Sequence, residues 1–142
     1  MNATELEFFL TLAKLGTVVS RKFDGSLGGL GWNEFIILHR LSEAPEKKLR
    51  RIDLAEKVGL TASGITRLLL PMEKIGLVTK ETNADDARVS LVAIAPGGKT
   101  KLEEAQDRMQ YLTRELLKNQ DPADVAKLSK TLESIGGAVM WR

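Results

Sequence analysis

The sequence of 142 residues contains no cysteine and a single histidine, His39. Without cysteine the chain has no disulfide, no thiol nucleophile, no thiol redox sensor and no cysteine zinc site. One histidine argues against a histidine-rich metal site and excludes any mechanism that needs two histidines. We therefore predict neither a metal site nor a cofactor.

Other absences narrow the class of protein further. No apolar run approaches the roughly 18 residues of a membrane span, and the first residues lack the basic and apolar regions of a signal peptide. The glycine cluster at residues 25–31 does not follow a predicted strand, so it is not a dinucleotide-binding fingerprint, and there is no Walker loop. We expect a soluble, cytoplasmic protein that has no membrane partner, has no catalytic residues and is not an enzyme.

What is present is a globular composition with an uneven distribution of charge. Apolar residues make up 43% and charged residues 28% of the chain, as in a single domain over residues 1–142. The net charge is +2. Residues 49–101 hold nine basic and six acidic side chains, a balance of +3, while residues 1–48 balance to zero and residues 102–142 to −1. This positive excess indicates a nucleic-acid partner only if the same segment also has the fold of a nucleic-acid-binding element.

The basic segment has the pattern of a helix-turn-helix. Residues 51–58 fit a short helix, and Gly59 stands where a left-handed residue ends a helix. Thr61 is a suitable N-cap for a second helix over residues 62–75. Two helices joined by a tight turn with glycine are typical of the helix-turn-helix. Pro71 removes one hydrogen bond of the second helix, which either kinks its last turns or is a neutral local choice.

A β-hairpin follows this pair of helices directly. Residues 77–82 and 88–94 are rich in Val, Thr, Leu and Ile, as strands are, and residues 83–87 form the tip between them. A helix-turn-helix followed by a hairpin is a winged helix, predicted here over residues 33–98 with Asn33 as its first N-cap. The predicted fold class is therefore mainly α (α+β), a winged helix-turn-helix with a two-stranded β wing.

Further helices flank the winged helix on both sides. Thr4 and Glu7 form a capping-box pattern at the start of the chain, and Asp121 with Pro122 is a strong helix start. Apolar residues then recur at spacings of three and four, at Leu102, Ala105, Met109, Leu112 and Leu116, and at Val125, Leu128, Leu132, Ile135 and Val139. We predict that residues 1–30 and 99–142 are dimerisation helices. The alternative is an intramolecular helical hairpin only.

The second helix of the helix-turn-helix has the side chains of a DNA-reading helix. A helix that enters the major groove presents small polar and basic groups, and the predicted DNA-binding residues here are Thr61, Ser63, Gly64, Thr66 and Arg67. The first two lie at the helix N-terminus, which favours a phosphate. The last two lie where side chains reach base edges. The alternatives are simple capping for Thr61 and Ser63, and a solvated or ion-paired surface arginine for Arg67.

The predicted wing carries one arginine, Arg88, beside its tip. An arginine there can enter a narrow minor groove, where the negative potential is enhanced. Asp86, two residues earlier, is placed to orient the guanidinium. Both residues are predicted to belong to the DNA-binding site. Without the helix-turn-helix beside it, the same sequence would be an ordinary charged turn.

Several short motifs fall in this stretch: Leu54-Ala55-Glu56, Leu60-Thr61-x-Ser63-x-x-Thr66-Arg67, Met72-Glu73-Lys74-x-Gly76-Leu77-Val78, Asp86-x-Arg88 and Ala95-Pro96-x-Gly98. Together they resemble the MarR family of bacterial and archaeal transcription regulators. The resemblance implies a homodimer with intertwined terminal helices that binds double-stranded DNA at a pseudo-palindromic operator, usually as a repressor. It implies that residues 62–75 read the major groove, and that Arg88, supported by Asp86, reaches the minor groove or backbone.

The resemblance also implies a small aromatic or phenolic effector that fills a crevice between the dimer helices and the winged helix and thereby causes release of the DNA. Trp32, Phe35 and His39 share a helix face near that crevice and are the candidate ligand-binding residues. The alternative for these three residues is a core helix with one satisfied histidine. Ala95 departs from the family, which often has threonine there, and this weakens the following helix cap.

A second class of function stays open. Winged helices also serve in protein–protein assembly, because fold does not fix function. A protein–protein interaction module without specific DNA binding is therefore the alternative to a DNA-binding regulator. The polar and basic residues of the second helix, together with Arg88, favour DNA.

Overall fold

The computed structural model describes residues 2–140, and its elements confirm the mainly α fold with a β wing. In chain order they are α1 (Ala3–Asp24), α2 (Trp32–Glu43), a 3₁₀ turn (Pro45–Lys47), β1 (Lys48–Arg50), α3 (Arg51–Val58), α4 (Ala62–Lys74), β2 (Val78–Thr82), β3 (Ser90–Ile94), α5 (Pro96–Leu116) and α6 (Pro122–Met140). None of the helices within residues 2–140 combines the length and apolarity that crossing a bilayer requires.

The chain divides into two compact units, and the division falls inside α5, between Arg108 and Met109. The first unit holds α1 to α4, the sheet and the start of α5. The second unit holds the end of α5 and α6. The helix-turn-helix and the wing therefore lie in the same unit.

The core of the first unit forms where α2, α3 and α4 meet one another and the sheet. Its most deeply buried large side chains, each at most 1% exposed, are Leu27, Ile37, Leu38, Leu41, Leu54, Ile65 and Met72. Burying one such side chain stabilises the fold by roughly 1.5–3 kcal/mol. No polar or charged residue within residues 2–140 is fully buried, so the polar groups of the helix-turn-helix remain at the surface.

The turn between α3 and α4 has the predicted geometry. Gly59 adopts the left-handed conformation (φ 77°, ψ 29°), and its amide donates to the carbonyls of Ala55 and Glu56. Thr61 is extended and caps α4 with its side chain. The second helix remains one helix through Pro71 and ends at Lys74, just short of the predicted end. The helix-turn-helix is thus set by local residues that the sequence displays.

The start of α1 differs from the prediction. Asn2 is the N-cap, and its side-chain oxygen accepts from the amides of Thr4 and Glu5. Thr4 therefore lies inside the first turn, and the predicted capping box of Thr4 with Glu7 is wrong. Asparagine is as good a capping residue as serine, so the cap forms two residues earlier.

The start of α2 also differs from the prediction. The N-cap is Gly31 and the helix begins at Trp32, so the predicted N-cap Asn33 lies in the first turn instead. Two carboxylates satisfy the free amides at this end. Glu34 accepts from the Gly31 amide at 2.7 Å, and Asp24 accepts from the Trp32 amide at 2.8 Å.

The sheet has three strands where a two-stranded wing was predicted. β1 pairs antiparallel with β3, and β3 pairs antiparallel with β2, so β3 is the central strand. Lys48 of β1 reaches across β3, and its Nζ lies 2.9 Å from Oε2 of Glu81 on β2. The hydrogen bond from Lys48 to Glu81 holds the pKa of Lys48 above its usual value. The chain after α2 is thereby tied to the base of the wing.

The first turn of α5 passes very close to the backbone of Leu77, at the start of the hairpin. The carbonyl oxygen of Leu77 accepts from the amide of Ala95 at 3.0 Å. A Cβ atom on Gly98 would collide with the same oxygen and would lie 3.2 Å from Cγ2 of Ile94. Position 98 therefore requires glycine, although it lies inside a helix.

We predict that Gly98→Ala lowers the free energy of unfolding by roughly 1–3 kcal/mol, because the backbone of Leu77 must move to admit a methyl group. In an open helical position the same change would be stabilising by about 1 kcal/mol. Gly16→Ala in α1 is the matched control, since among residues 2–140 no atom outside the adjacent backbone of α1 lies within 4 Å of the place that its new methyl group would take. Urea unfolding of both variants measures the difference. Changes of the same sign would contradict the close approach of α5 to Leu77.

Candidate nucleic-acid interface

The N-terminus of α4 is built from small polar residues whose hydroxyls are already engaged. Oγ1 of Thr61 accepts from the amide of Gly64 at 3.0 Å and lies 3.3 Å from Oγ of Ser63. A Cβ on Gly64 would lie only 3.1 Å from Oγ1 of Thr61, so glycine leaves room for the cap. Thr61 and Ser63 are exposed. Thr61 therefore does cap α4, as in the alternative interpretation, and this role leaves the outer surface of the residue accessible.

One turn further along α4, Thr66 and Arg67 differ in how they are held. The hydroxyl of Thr66 donates to the carbonyl of Ala62 at 2.9 Å, which fixes its side chain. Arg67 is exposed. Among residues 2–140 it forms no ion pair within 4.0 Å, so the ion-paired alternative for this arginine is not what the structure contains. Its guanidinium is available to a partner.

The wing arginine is oriented by its aspartate as predicted. Oδ1 of Asp86 accepts from both the backbone amide and Nε of Arg88, at 3.0 Å and 3.1 Å, and Oδ2 accepts from a terminal nitrogen at 3.2 Å. These bonds hold the pKa of Asp86 below its usual value. The side chain of Arg88 is nevertheless 90% exposed. Its direction is therefore set while its charge stays in solvent.

A shallow cleft of about 60 Å³ separates α4 from the sheet and contains residues that the sequence prediction missed. Thr66 lines it together with Leu70, Arg51 and Ser90. Leu70 is 49% exposed, whereas its neighbour Leu69 is 7% exposed. The helical period could have revealed Leu70, because it follows Thr66 by one turn and lies outside the buried face. Arg51 carries no local motif and is recognised only from the packing of α3 beside α4.

Trp32, Phe35 and His39 share one face of α2, as their spacing predicts. The ring centroids of Trp32 and Phe35 are 5.8 Å apart and those of Phe35 and His39 are 5.7 Å apart, both stacked. Phe23 at the end of α1 continues this column, with its centroid 4.8 Å from Trp32. At the other end Nδ1 of His39 lies 3.4 Å from Nε2 of Gln106 on α5. Sequence reasoning missed Phe23 and Gln106, because only tertiary packing places them here.

Gln106 also lines a cavity of about 420 Å³ between the C-terminus of α2, the sheet and α5. Ala93, Ile94 and Leu102 form apolar parts of its wall, and Lys47 and Lys99 are among its charged residues. Its size falls in the range of small-molecule sites. No group of three or more His, Asp or Glu side chains within residues 2–140 is arranged to hold a metal ion.

A model of the MarR family matches residues 30–90, which contain α2, α3, α4, β2 and the tip of the wing. This segment of the chain is similar to the MarR family. The likeness predicted from the motifs is thereby confirmed. The MarR family comprises DNA-binding transcriptional regulators and not enzymes.

Three transcriptional regulators show how far the similarity extends. The HTH-type transcriptional repressor YetL of Bacillus subtilis is 31% identical over 73% of this chain, and the chain spans 64% of YetL, slightly under two thirds. The transcriptional regulator BldR from Sulfolobus solfataricus is 28% identical with a TM-score of 0.81, covering 95% of this chain and 97% of BldR. A mutant MarR from E. coli complexed with operator DNA is 25% identical with a TM-score of 0.70, and the match covers 89% of this chain and 94% of that MarR chain.

We predict that Thr61→Ala lowers the free energy of unfolding by about 1 kcal/mol, because the amide of Gly64 loses its acceptor. Thr61→Ser keeps the capping oxygen and serves as the control, so its stability should stay close to that of the unmodified protein. Chemical denaturation without DNA measures both variants. If the alanine and serine variants were equally stable, the side-chain cap of Thr61 would contribute nothing to the stability of the protein.

Proposed function

We propose that this chain is a transcriptional repressor that binds a pseudo-palindromic DNA operator as a homodimer, with α4 in the major groove and the wing at the minor groove. The observation that carries the proposal is the pair Asp86 and Arg88, which aims an exposed guanidinium from the wing of the same unit that holds α4. Arginine is attracted to the enhanced negative potential of a narrow minor groove. Among its relatives, YetL is named a repressor, which supports repression here.

The homodimer is supported by apolar surface that the single chain leaves uncovered. In α1 the side chains of Leu6, Phe9, Leu10, Leu12, Leu15 and Val18 are each at least 36% exposed. In the second unit Tyr111, Leu116, Leu117, Leu128 and Val139 are each at least 44% exposed. Apolar surface of this extent marks an interface. A homodimer would present two winged helices to one duplex, as a pseudo-palindromic operator requires.

For the DNA proposal, we predict that Arg88→Ala weakens binding to every duplex about tenfold, since a hydrogen bond to a charged group is worth roughly 1.5 kcal/mol or more. The slope of log affinity against log salt should fall by about one for each phosphate that Arg88 neutralises. Arg40→Ala is the control, because Arg40 is also an exposed, ion-paired arginine but lies on α2. Fluorescence anisotropy with duplexes selected from a random pool, at two salt concentrations, measures the affinity and its salt dependence. The same titration gives the stoichiometry, which should be two chains per duplex.

Two results of that experiment would count against the proposal in different ways. If Arg88→Ala and Arg40→Ala changed the DNA affinity equally, the wing would not be part of the DNA interface. The absence of any sequence-selective, salt-sensitive binding would reject the repressor itself and favour the alternative, a winged helix used for protein–protein contact.

We also infer that a small aromatic or phenolic effector binds beside the column formed by Phe23, Trp32, Phe35 and His39. Gln106 supports this inference, because it contacts His39 and also lines the cavity of about 420 Å³. Ala93 and Ile94 of β3 form part of the same cavity wall. A ligand that displaced them would move the central strand of the wing, and the wing carries Arg88.

We predict that benzoate or phenol quenches the fluorescence of Trp32 saturably and, at the same concentration, releases a bound duplex. The sequence has two tryptophans, so Trp141→Phe provides a background in which Trp32 alone reports. Trp32→Phe is the converse control and should remove the signal. Linear, unsaturable quenching without release of DNA would reject an effector site at this column.

A further inference from the structure

The exposed side of α4 offers fewer hydrogen-bond donors than its sequence suggests. The proton of the Thr66 hydroxyl is used within the helix, where Oγ1 donates to the carbonyl of Ala62 at 2.9 Å. While this bond holds, Thr66 has no proton to give to a base. The bond also fixes the χ1 angle, because a threonine in a helix has few staggered positions, and so it fixes the direction of the γ-methyl group.

A second apolar group lies one turn away on the same side. Leu70 follows Thr66 by four residues, so the two side chains are neighbours on the helix surface. Both line the cleft between α4 and the sheet. Leu70 is 49% exposed, whereas Ile65, Leu69 and Met72 of the same helix are at most 7% exposed and Leu68 is half-buried. About half of the Leu70 side chain is therefore left open to solvent.

The methyl of Thr66 and the side chain of Leu70 therefore form a small apolar patch on the side of α4 that lines the cleft beside the sheet. In the major groove of B-DNA, thymine alone presents an apolar group, its C5 methyl. Thymine differs from the other bases in this position, so an apolar patch on a reading helix carries sequence information. We propose that α4 reads thymines of its operator through their C5 methyl groups, and that Thr66 and Leu70 are the residues that contact them. The inference rests on the proposed DNA-binding function.

The competing role for Thr66 is that of a hydrogen-bond acceptor. Its Oγ1 keeps lone pairs that could accept from the amino group of adenine or cytosine. The two roles require different parts of the side chain. Thr66→Ser keeps the hydroxyl and removes the methyl, whereas Thr66→Val keeps a methyl and removes the hydroxyl. These two substitutions, made in the full-length protein, separate the roles.

The experiment uses the duplex selected from a random pool and replaces its thymines one at a time by deoxyuridine, which removes the C5 methyl and leaves base pairing intact. At the contacted thymines we expect about fourfold weaker binding, the loss that corresponds to one buried methyl-sized group. Thr66→Ser should weaken binding to the thymine duplex by a similar factor and should show no further loss at the thymine that Thr66 contacts. Thr66→Val should remain sensitive to deoxyuridine at that position.

Leu70→Ala provides the independent half of the test. Leu70 is exposed, so its truncation should leave the thermal unfolding midpoint close to that of the unmodified protein while abolishing the response to deoxyuridine at a second position. Sequence-selective binding that is indifferent to every deoxyuridine replacement would overturn the proposal and leave the repressor function intact. So would a Thr66→Ser variant that binds like the unmodified protein while Thr66→Val fails. If no selective binding is found at all, the DNA-binding function fails first.

Discussion

The backbone of Leu77 is the point on which the DNA-binding unit depends. Its amide donates to the carbonyl of Met72 at 2.9 Å, which closes the end of α4, and its carbonyl accepts from Ala95, which closes the hairpin. Gly98 of α5 packs against the same carbonyl, and the side chain of Leu77 is 6% exposed. One residue thus joins α4, the wing and the start of α5. A shift of α5 along its axis must move Leu77, and through it the wing and α4, because packed interiors transmit displacement.

The parts that local chemistry determines could be predicted from the sequence, and the parts that distant residues determine could not. Gly59 and Thr61 made the helix-turn-helix predictable, because a left-handed glycine and a capping threonine form hydrogen bonds only with residues a few positions away. The pairing of Asp86 with Arg88 is equally local. β1 was missed because Lys48 and Arg50 give it no apolar alternation, and its only reason to be a strand is β3, more than forty positions away.

The candidate sites show the same division. The spacing of Trp32, Phe35 and His39 placed them on one face of α2, but the column became complete only with Phe23 and Gln106, which other elements supply. On α4 the sequence identified Thr66 as a polar contact residue. In the structure the hydroxyl of Thr66 donates to the carbonyl of Ala62, so its γ-methyl group and the lone pairs of Oγ1 remain for a partner. The residue type determines which chemical groups a side chain has, and the local hydrogen bonds determine which of those groups are available to a partner.

The uneven distribution of charge explains why a net charge of +2 understates the field of the winged helix, since residues 49–101 alone balance to +3. Within residues 49–101, Asp53, Glu73, Glu81 and Asp86 each form an ion pair with a basic side chain. These pairs are exposed and contribute little to stability, roughly 0–1 kcal/mol each. Their effect is geometric, since Asp86 aims Arg88 without burying it. Arg67 of α4 has no such partner among residues 2–140. The wing therefore carries a directed charge, and α4 carries one that no ion pair within residues 2–140 holds.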